Sequence, residues 1–222
     1  QDGEGENNQK SSQGQGGESQ EKQGEQQAPG PKDPWKEITP VINDLHYKWN
    51  SYMPMAVKKG ANKNLVENFS SALNSLTSTV IGKNKTNTLM AASYLYAYVP
   101  DLYALYRTSV SPEIKRIRHY TRNAMLNSMT GNWEQAQSDI NNLESSWSLF
   151  KTAIPEKQQE DANRLDFSIY ELKKVLENKD QPLTDIKGRV TMSNIQTLEK
   201  AMEKSQSQSK EGEGEGEGEG GG

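Results

Sequence analysis

The segment WKEITPVINDLHYKWNSYMPMA, residues 35–56, and the segment WEQAQSDINNLESSWSLFKTAI, residues 133–154, are written on one plan. At heptad spacing the first gives Trp35, Ile38, Ile42, Leu45, Trp49, Tyr52 and Ala56. The second gives Trp133, Ala136, Ile140, Leu143, Trp147, Phe150 and Ile154, each 98 residues later. Alternating steps of three and four place all seven side chains on one helical face, so each segment predicts a long amphipathic helix.

The correspondence runs on through two further helices. A second helix, from about Asn62 to Ile81, turns Leu65, Phe69, Leu73, Leu76 and Val80 inward, and the last four match Leu165, Ile169, Leu172 and Leu176 at an offset of 96. A contraction of two residues in the second copy's first loop accounts for the change, because loops tolerate length changes best. A third helix, about Asn87 to Arg107, keeps the offset of 96: Met90 with Ile186, Tyr94 with Val190, Val99 with Ile195, Leu102 with Leu198 and Tyr106 with Met202. In the first copy this helix is apolar or Tyr on nearly every face, which places it between the copies, bent at Pro100.

Punctuation residues set the boundaries. Asp33-Pro34 suits a helix start, Met53-Pro54-Met55 an end or a kink, and Lys58-Lys59-Gly60 a basic last turn and a stop. One unmatched helix, Pro112 to Met129, capped by Ser111, carries Ile114, Ile117, Thr121 and Met125 as its stripe, and Asn132 caps the second tryptophan helix. The expected fold class is all-α: an antiparallel helical bundle of about seven helices, built from a duplicated three-helix unit plus one connecting helix, with disordered tails.

Composition divides the chain in the same way. Residues 1–33 are a Gln/Gly/Glu-rich stretch with no aromatic and no aliphatic side chain larger than Ala28, and residues 205–222 end in Glu-Gly alternation. Neither can bury enough apolar surface to offset ordering entropy, so both are expected to be disordered, the first as a tether. The bundle then spans 34–204, with copy one at 34–108, the connecting helix at 112–129 and copy two at 132–204. The first tail has seven acids against three bases and the second five against one, which leaves 22 bases against 18 acids in the body. The acidity of the whole chain therefore belongs to its tails, and the body is mildly basic.

The chain has no cysteine, no apolar run near the ~20 residues that span a bilayer, and no Met at position 1, which suggests a processed chain. The Gln/Gly/Glu/Ser stretch after Gln1 resembles the spacer of Gram-positive surface lipoproteins. That resemblance implies a removed signal peptide, a lipid-bearing cysteine ahead of Gln1, and a place on the extracellular face of the cell membrane. A flexible tether of this length reaches about 30 Å.

Candidates for chemistry are few. The basic run Arg107, Lys115, Arg116, Arg118, His119 and Arg122 puts Lys115, Arg118 and Arg122 on one face, suited to phosphate-bearing polymers or headgroups, or to pairing with acids of neighbouring helices. Tyr94, Tyr96, Tyr98, Tyr103 and Tyr106 could line a ligand cleft between the copies, or pack in a core. Met53 and Met55 with His46 locally resemble the thioether-rich sites of extracellular copper proteins, and Glu144, the counterpart of His46, is a fourth candidate ligand. The chain lacks Cys-x-x-Cys-His, Glu-x-x-His, Gly-x-Ser-x-Gly and a phosphate loop, and no nucleic-acid-binding motif is present. A period of 96 to 98 also excludes tetratricopeptide repeats, whose units recur at ~34 residues. The expected function is a non-enzymatic, surface-tethered binding or assembly module with no cofactor and with an unknown protein or cell-envelope partner. The alternative is an extracellular bundle that binds a metal or a small ligand.

Overall fold

The computed structural model describes residues 32–108 and 110–214, apart from the side chains of 206 and 208–214. The expected tether up to residue 31, and residues 215–222 of the expected tail, lie outside the described residues. The described chain is helical throughout: α1 (Pro34–Lys58), α2 (Lys63–Ile81), α3 (Lys85–Tyr96), α4 (Val99–Ala104), α5 (Glu113–Met129), α6 (Trp133–Lys151), a 3-10 turn (Glu156–Gln158), α7 (Gln159–Glu177) and α8 (Gln181–Gly214). No strand occurs among the described residues. All seven expected helices are present, the third in two pieces.

The duplication holds down to single hydrogen bonds. His46 Nε2 and Thr77 Oγ1 lie 2.8 Å apart between α1 and α2. Their counterparts, Glu144 and Lys173, are joined between α6 and α7, the ammonium donating to the carboxylate at 2.9 Å. One turn on, the Trp49 indole N–H donates to Ser70 Oγ at 2.8 Å, and the Trp147 indole N–H donates to Asp166 Oδ1 at 2.6 Å. Offsets of 98 in the first helix and 96 in the second relate every partner, so different side-chain pairs join the same positions of the two helix pairs.

The turns repeat as well. At the end of α2, Lys83 N–H donates to Val80 C=O and Asn84 N–H to Thr79 C=O; at the end of α7, Lys179 and Asp180 donate to Leu176 and Val175. Both are Schellman caps, which need one left-handed residue, and here a lysine supplies it in each: φ is 50° at Lys83 and 55° at Lys179. A left-handed non-glycine residue costs about 1 kcal/mol, so retention of lysine at both turns is a shared local cost. Asn84 and Asp180 then cap the next helix by accepting from Asn87 N–H and Leu183 N–H.

Local expectations fail at three places. Helix α1 runs through Pro54 to Lys58 rather than ending at Met53-Pro54-Met55. The proline removes only the bond to the Asn50 carbonyl, and both residues are exposed, so water can serve that carbonyl. Conversely, Pro100 divides the expected third helix instead of bending it. The chain leaves α3 at Ala97-Tyr98 and re-enters helix with Pro100 in the first turn of α4, where a missing N–H is tolerated. At the other end, α8 continues to Gly214, ten residues beyond the expected bundle boundary.

Two apolar cores form. Copy one buries Ile42, Trp49, Phe69, Leu73, Leu76 and Val80 among α1, α2, α3 and α4. Copy two buries Ile140, Leu143, Trp147, Leu165, Leu172 and Ile195, and the connecting helix α5 adds Ile114, Ile117 and Ala124 to that core. Helix α5 packs along α6 and α8 and also leans on α3 and α4. Copy two is thereby a four-helix bundle, whereas α5 forms no extended contact with α1.

Candidate functional site

Helix α5 brings together two candidates that the sequence presents separately. Its face carries Lys115, Arg118 and Arg122 against Tyr96 and Tyr103: the Lys115 ammonium lies 5.1 Å from the centre of the Tyr103 ring and the Arg122 guanidinium 5.0 Å from that of Tyr96. Between them sits Glu199 of α8, only 7% exposed, which accepts from Lys115 and, at 2.5 Å, from Arg118. Burial works against the Lys115 ammonium, but the hydrogen bond and charge of Glu199 hold its pKa above the usual lysine range. Arg122 has no carboxylate partner among the described residues. Burial lowers its pKa, opposed by the charge of the Tyr96 phenolate and reinforced by Arg118. Tyr96 is pushed up by burial, against the pull of Arg118, Lys115 and Arg122.

A buried polar chain continues along the same helix. Asn123 and Asn127 both donate to Asp139 Oδ2 of α6, at 2.8 and 2.9 Å, and Gln135 donates to its other oxygen at 3.2 Å. Ser93 of α3 donates to Asn123 Oδ1 at 3.2 Å. Burial raises the pKa of Asp139, while the donors from Asn123, Gln135 and Asn127 work the other way. His119 stands beside this chain, 9% exposed, with the Ser93 backbone as a hydrogen-bond partner and Nδ1 unpaired among the described residues. Ser93, Asn123, Asn127, Gln135 and Asp139 satisfy one another, so the seam reads as the polar lock that fixes α5 between the copies.

Other candidates are dispersed. Arg107 is exposed in the α4–α5 connection and takes no part in the α5 network. The five tyrosines do not line one cleft: Tyr94 is 51% exposed, Tyr98 packs on the first core, and Tyr106 lies 6.1 Å from the Tyr52 ring. His46 and Glu144 are each engaged inside their own copy, while Met53 packs on the first core and Met55 is 56% exposed. No group of three His, Cys, Asp or Glu residues suited to a metal ion occurs among the described residues.

The feature that the candidate residues do not mark is a difference between the copies. In copy two, α5 covers Ala136, Asp139 and Leu143, which are 0%, 2% and 0% exposed. Their counterparts in α1 are Ile38, Val41 and Leu45: Val41 is 63% exposed, and the other two are half-buried. Two apolar hollows lie against this uncovered side. One of about 350 Å³ is lined by Trp35, Ile38, Thr88 and Leu89, and one of about 200 Å³ by Leu45, Trp49, Tyr52, Val99 and Leu102. Thr88 Oγ1 is buried there without a partner among the described residues, whereas its counterpart Thr184 donates to the Asp180 carbonyl at 2.7 Å.

Asp139 and Glu199, which anchor α5, were not singled out by periodicity because each replaces an apolar or aromatic residue of the first copy, Val41 and Tyr103. That change of polarity at matched positions is the sequence signal for them. No helix among the described residues is long and apolar enough to cross a membrane. Compared with protein-family models, curated proteins and solved structures, the chain matches none.

Proposed function

We propose that this chain is a non-enzymatic helical binding or assembly module, tethered at the outer face of a Gram-positive cell membrane through its N-terminal stretch. The observation that carries the reading is the unequal covering of two equivalent three-helix units. One has its α5 in place, and the other presents Val41 to solvent beside two apolar hollows. An exposed apolar side chain set beside apolar hollows is a usual mark of a contact site. The Gln/Gly/Glu-rich composition ahead of the bundle supports the tether, whose root-mean-square reach as a flexible chain is about 30 Å.

The test uses the absence of cysteine, which makes single-site labelling clean. A photo-crosslinker is attached to Val41→Cys and, as a control, to Leu149→Cys, an equally exposed apolar site on α6 (71%). In cells that make the protein, a discrete crosslinked species is expected from position 41 and not from 149. Absence of any such species, or equal crosslinking from both positions, contradicts the reading.

A further inference from the structure

We infer that the open side of copy one receives an amphipathic α-helix with acidic flanks from another protein, lying antiparallel to α1 as α5 lies against α6. This rests on the binding-module reading and names its partner class. The duplication itself supplies the template. Where α5 covers α6, the matched positions of α1 are uncovered, and the distance from Ile38 to Tyr52 along α1, about 21 Å at 1.5 Å per residue, suits a helix of roughly 14 to 17 residues. The chain's own N-terminal stretch precedes α1 as α5 precedes α6, but with nothing aliphatic larger than Ala28 it offers no apolar stripe to fill the hollows.

Charge decides the kind of helix. The groove of copy two is acidic, with Asp139 and Glu199 holding a helix that carries Lys115, Arg118, Asn123 and Asn127. At the matched positions copy one has Val41 on its open side and Tyr103 already turned to Lys115 of α5, so the open side holds neither acidic anchor. Lysines rim the hollows instead: Lys48 stands where copy two has Ser146, Lys85 where it has Gln181, and Lys83 is kept as Lys179. Lys48 pairs with Asp44 at 2.7 Å, but both side chains are more than half exposed and such a pair exchanges readily with another carboxylate. A basic helix like α5 would find neither buried acid here, only the exposed Glu37 and Asp44, whereas a helix with an apolar stripe flanked by Glu or Asp would find its apolar seat and the ammonium groups of Lys48, Lys83 and Lys85.

The experiment compares two dye-labelled synthetic 18-residue amphipathic peptides with one Leu stripe, flanked by Glu in one and by Lys in the other, binding to the full chain by fluorescence anisotropy at low salt. The Glu-flanked peptide is expected to bind at least tenfold tighter. Val41→Asp, an exposed position that recreates the acid of copy two, and the double change Lys83→Glu with Lys85→Glu should each weaken it tenfold or more at unchanged thermal stability. Equal affinities, a preference for the Lys-flanked peptide, indifference to Val41→Asp, or dimerisation of the chain that buries position 41 would each overturn the inference. Failure here with a discrete position-41 crosslink in cells refutes only the acidic helix; loss of that crosslink refutes the binding module itself.

Discussion

Trp147→Ala lowers the stability of the folded chain by ~3 to 5 kcal/mol, and Trp49→Ala lowers it comparably. Both rings are buried, at 4% and 7% exposure, and each indole N–H is committed to the next helix, so truncation opens a cavity and removes an interhelical hydrogen bond together. The two sites differ in what remains. Asp166 keeps Lys151 at 2.9 Å after the indole is gone, and Ser70 is a neutral hydroxyl that water can reach, so neither loss strands a buried charge. The effect is therefore mainly one of packing, and Trp147→Phe should recover more than half of it. Urea unfolding gives the comparison directly. A loss below about 1 kcal/mol at either site would remove that tryptophan from the list of core anchors.

Acidification from pH 7 to 4 costs the fold roughly 2 to 3 kcal/mol through His119 alone. Burial, with Arg122 nearby, lowers its pKa to about 4, against the backbone hydrogen bond of Ser93, while the unfolded chain keeps the ordinary value near 6.5. The unfolded state thus takes up the proton first. Stability from the neutral ring is complete above about pH 6.5, falls as pH drops, and is gone below about 4. Asp139 acts in the opposite sense, because its folded pKa is raised: its burial costs stability once pH exceeds the ordinary aspartate value, and acid relieves that cost. Chemical denaturation across pH 4 to 7 should show the His119 slope, and His119→Gln should flatten it. An unchanged slope in that variant would place the acid sensitivity elsewhere.

The helical order and the duplication were legible because both rest on local periodicity: Trp49 and Trp147 recur with their neighbours at one offset, and Gly60 and Gly131 stop helices with φ of 104° and 76°. What sequence reasoning could not place was polar burial. Glu199 meets Lys115 from 84 residues away, and nothing local distinguishes it from a solvated helix acid until the helices are packed. The basic run on α5 was visible, but its role as a buried contact depends on Glu199, Tyr96 and Tyr103 arriving from α8, α3 and α4. The fate of Pro54 and Pro100 turned likewise on surroundings, since an exposed carbonyl tolerates the lost donor and a helix start requires none. The open side of α1 was not legible in the sequence, because the exposure of Val41 where Asp139 is buried depends on where α5 packs.

Two equivalent units differ in cover, one closed by α5 and one open. Thiol labelling tests it most directly, with Ile38→Cys and Ala136→Cys placed at matched positions of α1 and α6 in an otherwise cysteine-free chain. A thiol at position 38 should react at least 100-fold faster than one at position 136, which is fully buried and reacts only when the helices open. Equal rates at native pH and without denaturant would contradict it.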